Sequence, residues 1–315
     1  MYFNQTIKDI SSYENIGVIG EGTYGKVYKA KHRPTEMIVA VKKIELEEDS
    51  GISLPTIREI KNLQRLNSEF IVKMIEVIQE GNYYYLVMEY VPFDLTGLIK
   101  KNIYFDDETL ITFCYELLKS ISYLHSKGII HRDIKSSNIL MTREGKIKLV
   151  DFGLAREKCN LMTNRVCTLW YRAPELLLGS ENYDEKIDTW SVGCVILELR
   201  LKKVPYKGSD EVSQIKNIFM QLGSPKEIFN WSDMFEQSSY TKNEPFLETI
   251  TKNYGEYFND DLLFLLSKLL CLDPKERMTP VELLELQIFK KSSPKFINID
   301  IEDVNEYIYN EKNKL

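Results

Sequence analysis

The sequence predicts an α+β protein in two parts, a small β-rich lobe with one key helix followed by a larger, mainly helical lobe. Three observations carry this. Between residues 13 and 90 the apolar residues come in short β-branched or aromatic runs, broken by Gly, Asn or charged clusters. After "VPFDL" they lengthen into stripes of helical spacing. The 315 residues also suffice for one large domain or two lobes with a sizeable core, at roughly 100–200 residues per domain.

In order, "IGVIG", "KVYKA", "MIVAVKKI", "KMIEVIQ" and "YYYLVMEY" read as strands. "TIREIKNLQRL" interrupts them with Ile57, Ile60, Leu63 and Leu66 at helical spacing. Pro55 suits the first turn of that helix, where a missing N–H costs little, and Ser53 can cap it. The next helix begins near Asp106 or Asp107, carries Leu110, Phe113, Cys114, Leu117, Leu118, Ile121 and Leu124 on one stripe, and ends at Gly128. Further helices are predicted over 185–200, 211–222, 259–271 and 279–289. The domain organisation expected is an extension over 1–12, a domain over 13–290 with lobes at about 13–90 and 95–290 joined at about 89–94, and a loosely docked tail over 291–315.

Composition excludes several classes. Hydrophobic content of 43%, charged content of 28% and 10 prolines describe a folded globule. A net charge of -6 gives no sign of a surface for nucleic acid. The cysteines at 114, 159, 167, 194 and 271 are scattered and never spaced C-x-x-C, so neither a disulfide framework nor a zinc site is expected. "LLFLLSKLLCL" is too short to span a membrane and no signal peptide is read at the start, which points to the cytosol or the nucleus.

"GEGTYGKV", from Gly20 to Val27, fits two phosphate-binding patterns at once. A Walker loop needs Ser or Thr where Val27 stands, and a dinucleotide fingerprint needs a helix where "KVYKAK" alternates like a strand. Strand, glycine turn, strand lets backbone N–H groups close over phosphates, or it is merely a Gly-rich hairpin.

The motifs downstream decide between these. "HRDIKSSNIL" (131–140), "KIKLVDFGLA" (146–155) and "TLWYRAPE" (168–175) follow in order, and with them the sequence resembles the eukaryotic protein kinases from about residue 13 to 290. The resemblance implies the bilobal kinase fold, ATP and Mg2+. It places ATP against Ile19, the loop residues Gly20, Glu21, Gly22, Thr23, Tyr24, Gly25, Lys26 and Val27, then Ala40, Lys42, Met88, Glu89, Val91 and Asp94. Lys42 would hold the α- and β-phosphates, Glu59 would orient Lys42, and Asn138 and Asp151 would bind magnesium. Asp133 would accept or orient the proton of the substrate hydroxyl, and Lys135 would offset charge on the phosphate. Singly, each of these is more simply a surface charge or a turn residue; in order and together they point to catalysis. A pseudokinase scaffold is the alternative of another class, but Lys42, Asp133, Asn138 and Asp151 are all present. The resemblance leaves His131 structural, makes Glu175 and Arg277 a buried ion pair, and has Asp188 brace the catalytic loop.

"GEGTYGKV", the "TIRE" helix, "DFGLAR" and "TLWYRAPELLLG" resemble the cyclin-dependent kinases. Within that branch "HRDIKSSNIL" and "TNRV" are most similar to transcriptional members that phosphorylate the heptad-repeat tail of RNA polymerase II. Ala173 instead matches cell-cycle members, which keeps a cell-cycle kinase as the alternative. The partners implied are a cyclin-like subunit docking beside Ile57, an upstream activating kinase and a protein substrate with Ser/Thr-Pro sites, with no direct nucleic acid and no membrane. A nuclear location is implied, with a cytoplasmic pool also allowed. Thr163 aligns with the activating phosphosite, where Arg58, Arg132 and Arg156 would converge on the phosphate; the alternative is an unmodified loop threonine. Thr23 and Tyr24 match inhibitory phosphosites of cell-cycle kinases, but packing and turn roles explain them as well.

Overall fold

The computed structural model describes residues 9–22, 25–46, 51–223, 246–291 and 293–299. Thr23 and Tyr24, most of the N-terminal extension and the tail beyond residue 299 lie outside the described residues. The chain separates into two compact units. One holds the described residues up to Leu98 with 139–153 and 298–299; the other holds Ile99–Asn138 and Leu154–Ile297.

The first unit is built on an antiparallel sheet of β1 (Tyr13–Gly22), β2 (Gly25–His32), β3 (Ile38–Glu45), β4 (Met74–Glu80) and β5 (Tyr83–Glu89), in the order β1-β2-β3-β5-β4. Period-two alternation divides its faces. Val39 and Val41 join Ala30, Ile78 and Val87 in a core cluster, covered by Ile10, Tyr13 and Tyr85. The intervening Ala40, Lys42 and Ile44 face the other way, and register places Lys42 opposite Val27 on one side and Leu86 on the other.

Helix α1 (Leu54–Arg65) starts as expected. Ser53 accepts a hydrogen bond from the Thr56 N–H at 3.4 Å, and Pro55 sits in the first turn. Its buried face, however, is Thr56, Glu59, Asn62 and Leu63, whereas Ile57 is 45% exposed. The apolar spacing announced the helix, but a polar edge of it turns inward.

Short strands complete this unit. β6 (Phe93–Asp94), β8 (Ile139–Met141) and β9 (Ile147–Leu149) form a three-stranded sheet in the order β6-β8-β9. Leu149 donates its N–H to the Phe70 carbonyl at 2.8 Å and accepts from the Val72 N–H at 3.0 Å. Those bonds place the segment leading to Asp151 with the first unit. Strands of two or three residues show no period, so the sequence did not announce them.

α2 (Leu95–Lys100) carries the chain across the division. In the second unit α3 (Asp107–Ser126) is capped by Asp106, which accepts from the Thr109 N–H at 2.9 Å, and the chain leaves it at Gly128, where φ is +71°. β7 (Ile129–Ile130) then pairs with β10 (Arg156–Glu157). α5 (Lys186–Leu201) is buried on all sides from Ile187 to Leu199, its polar residues Asp188, Thr189, Ser191 and Glu198 included. The remaining helices are α4 (Pro174–Leu177), α6 (Glu211–Leu222), α7 (Phe246–Tyr254), α8 (Asp260–Leu269), α9 (Pro280–Leu284) and α10 (Gln287–Lys291).

One expected helix, 279–289, is divided into α9 and α10. Leu283 and Ile288 are both buried, yet five residues at about 100° each would point them well apart on a straight helix. The chain tightens between them, with the Leu286 N–H on the Leu283 carbonyl and the Phe289 N–H on the Leu286 carbonyl. α2, α4 and α7 were not anticipated. Only Thr249, Ile250 and Tyr254 of α7 are buried, too few to show a stripe. No helix among the described residues is long and apolar enough to cross a membrane.

Candidate active site

In the first unit the described residues expected to bind nucleotide lie between β1 and β6. Gly22 pairs with Gly25 at the open end of β1 and β2. Gly25 has φ of +143°, and a Cβ there would lie 2.0 Å from the Lys43 carbonyl oxygen, so only glycine fits. Glu21 and Lys26 face each other in register and form an exposed ion pair at 3.6 Å. Ala40, Met88 and Val91 are buried, while Ile19, Val27 and Glu89 are half-buried. The Glu89 side chain is held by the Lys73 N–H and the Lys148 ammonium, both at 2.8 Å. Asp94 accepts from the Gly97 N–H at 2.6 Å and so caps α2.

Lys42 donates to both carboxylate oxygens of Glu59, at 2.8 and 2.6 Å, with Glu59 only 3% exposed. Burial pushes the Glu59 carboxyl up, Lys42 pulls it down and the charge of Asp151 pushes it up again; it ends above its ordinary value. Arg58, one residue earlier, is half-buried and points elsewhere on the helix, because successive residues differ by about 100°. Asp151 has φ of +62°, uncommon for a residue with a side chain. One of its oxygens lies 3.4 Å from the Gly153 N–H.

In the second unit Asp133 is the hub. Its Oδ1 accepts from the Thr168 N–H at 3.0 Å and the Thr168 hydroxyl at 2.9 Å, and its Oδ2 from the Asn138 amide at 2.9 Å and Lys135 at 2.7 Å. Burial works to raise this carboxyl, but Lys135, Thr168 and His131 outweigh it and hold the group below the usual carboxylate range. Lys135 also donates to the Thr168 hydroxyl at 3.0 Å. The Asp188 carboxylate lies beneath, accepting the His131 and Arg132 N–H groups and meeting His125 Nε2, each at 2.9 Å. His131 is fully buried.

Thr163 is exposed, and its carbonyl accepts from the Tyr183 hydroxyl at 2.8 Å. Buried Arg132 donates to that hydroxyl at 3.0 Å and to the Leu154 carbonyl at 2.8 Å. The charge of Arg156 also acts on the Tyr183 phenol. Two of the three arginines expected at Thr163 are therefore gathered around the tyrosine that holds its backbone.

Sequence reasoning missed Thr168 as a partner of Asp133, and it missed Arg172. Cys167 adopts φ of +63°, and its carbonyl accepts from Arg172 at 3.1 Å while Arg172 pairs with Glu211 at 2.6 Å. Both residues stand inside motifs that were recognised, but no spacing rule tells which backbone atom a side chain will take.

Each unit offers an oxygen ligand of the kind magnesium takes. Both amide hydrogens of Asn138 go to Asp133, one to its carbonyl and one to its carboxylate, so the amide oxygen is the atom left for a cation. Asp151 supplies a carboxylate whose charge already opposes that of Glu59. Among the described residues no group of three His, Cys, Asp or Glu side chains is placed to hold a metal unaided. Magnesium characteristically takes one or two carboxylates and completes its shell with phosphates and water.

The protein kinase domain family matches residues 13–289. A "probable cell division protein kinase" of Encephalitozoon cuniculi is 40% identical over 96% of this chain and 98% of its own length. The CTD kinase alpha subunits of Schizosaccharomyces pombe and Saccharomyces cerevisiae are 40% and 39% identical over 90% of this chain. The match covers only 49% and 56% of those two longer proteins. The crystal structure of the yeast RNA Pol II CTD kinase CTDK-1 complex contains a similar chain, with a TM-score of 0.83, 35% identity and coverage of 95% of this chain and all of that one.

Proposed function

Because this chain belongs to the protein kinase family, in its cyclin-dependent branch, we propose that it transfers the γ-phosphoryl of ATP to Ser/Thr-Pro sites, those of the RNA polymerase II heptad tail foremost. The observation that carries the reading is Asp133, a buried carboxylate kept ionised and aimed by Lys135, Asn138 and Thr168. In such a transfer the protein needs little covalent chemistry, only fixed charges and an oriented hydroxyl. Lys42, held by Glu59, binds the α- and β-phosphates. Asp151 of the first unit and Asn138 of the second would each offer magnesium an oxygen ligand, and the ion would supply positive charge against the phosphates. Asp133 orients the acceptor hydroxyl and takes its proton, and Lys135 offsets charge on the transferred group.

Proline preference is supported at Cys167. Its carbonyl is turned to Arg172, so a substrate N–H facing it would meet an oxygen already engaged, whereas proline alone brings no N–H to satisfy. The names of the yeast relatives and of the CTDK-1 complex support the polymerase tail as substrate. A cyclin-like partner is supported by α1, which leaves Leu54 66% and Ile57 45% exposed. Thr163, exposed and held by the Tyr183–Arg132 pair, suits an upstream activating kinase, its phosphate drawing Arg58, Arg132 and Arg156. A nuclear site of action follows from the polymerase substrate.

A second reading, a cell-division kinase, is favoured by the Encephalitozoon cuniculi relative and by Ala173. Phosphorylation by the native complex of a Tyr-Ser-Pro-Thr-Ser-Pro-Ser repeat, compared with a histone-type Ser-Pro peptide, separates the two. Preference for the repeat is expected; preference for the histone peptide selects the second reading. Asp133→Asn should lower transfer by about 100-fold or more with ATP still bound, and unchanged transfer removes Asp133 as the base.

A further inference from the structure

Among the described residues not yet given a role, Glu198 is a buried acid on whose carboxyl no cation acts. Glu198, on α5, is 7% exposed, and the influences on its carboxyl are burial, which pushes it up, and the hydroxyls of Tyr171 and Ser136. Tyr171 donates to Oε2 at 2.7 Å and Ser136 to Oε1 at 3.3 Å, and the two hydroxyl oxygens are 3.1 Å apart. Tyr171 and Ser136 are themselves 4% and 3% exposed. Burying a carboxylate that no cation neutralises is costly, and an apolar side chain would fill the space without that cost. Its contribution must lie in what it holds.

Ser136 opens the turn Ser136–Asn138, three residues after Asp133; Tyr171 closes the turn Leu169–Tyr171, three residues after Thr168. The two segments thus meet twice, first where Thr168 and Lys135 bind Asp133, then at Glu198. One attachment point permits a pivot, whereas two set an angle. We infer that Glu198, through Tyr171 and Ser136, is a positioning residue that sets the angle between the catalytic loop and the 168–171 segment, and so the direction of the Asp133 carboxylate. None of the three touches the reacting atoms. The inference rests on the phosphoryl-transfer reading given above.

The test is Ser136→Ala, Tyr171→Phe and the double variant, each in the full chain purified with its native partner. Each single variant is expected to lower kcat about 3- to 10-fold with KM for ATP unchanged, and the double to fall no further than the worse single, because both hydroxyls act through one carboxylate. Hydrogen exchange of the peptide covering 131–138 should quicken in both variants without ATP present. The inference is overturned if kcat stays within about 2-fold of wild type, or if rates fall only with the folded fraction while exchange is unchanged. If wild type and Asp133→Asn alike transfer no phosphate, the kinase reading falls first and takes the inference with it.

Discussion

Asp133 keeps its charge with only 5% of the residue exposed. Its pKa is depressed in the folded chain, against roughly 3.9 when unfolded, so it contributes stability above that value and loses it as pH falls toward the folded one. The stability gap between wild type and Asp133→Asn should hold steady at about 2 kcal/mol near neutral pH and shrink as pH falls through about 4, read by urea unfolding from about pH 2.5 to 7. A gap that widens in acid contradicts the assignment. Glu59, whose carboxyl is raised by burial, has the opposite sensitivity. Lys42→Met leaves a buried acid unpaired and should cost about 3 kcal/mol, while adding Glu59→Gln should recover part of that loss. If the double variant is the less stable of the two, the pair is not what holds Glu59 in place.

The strands and loops around these side chains explain why the residues cannot be exchanged freely. Gly25→Ala would drive a methyl onto the Lys43 carbonyl, so β2 must shift from β3; ATP affinity should fall at least about 10-fold, by calorimetry on the native complex. In the segment before α4, Arg172→Leu frees the Cys167 carbonyl. A peptide array with that variant should lose most of its discrimination for proline after the acceptor, while rates on non-proline peptides hold or rise. Undiminished proline preference would falsify the role given to Cys167. Elements with a long period were legible beforehand: the sheet strands, α1, α3 and α5 fall where alternation or helical stripes predicted them. The strands β6 to β10, the helices α2, α4 and α7 and the break between α9 and α10 were not, because each is too short to display a period or is set by packing against partners distant in sequence.

A buried ion pair across the chain helps to pin the second unit. Arg277 is fully buried and bonds Glu175 bidentately at 2.7 and 3.0 Å, while its Nε donates to the Cys271 carbonyl at 2.9 Å. Glu175→Ala leaves that guanidinium uncompensated and should lower stability by about 3–5 kcal/mol, seen as a lower midpoint in thermal or urea unfolding. A change under about 1 kcal/mol would mean that water or another acid reaches Arg277.

By itself the sequence determined the family, the order of the lobes and the identities of the charged residues. Those signals sit in windows of about ten contiguous residues, such as "HRDIKSSNIL", where the chain keeps neighbours together. Only the tertiary structure decided which atoms those residues use. Thr168 lies 35 positions from Asp133, Glu198 62 from Ser136 and Glu175 102 from Arg277, separations at which sequence carries no distance. At such separations the pairing is chosen by burial. A polar atom removed from water must find a partner in the fold, and the packing of α5 and the loops around it determines which one is within reach.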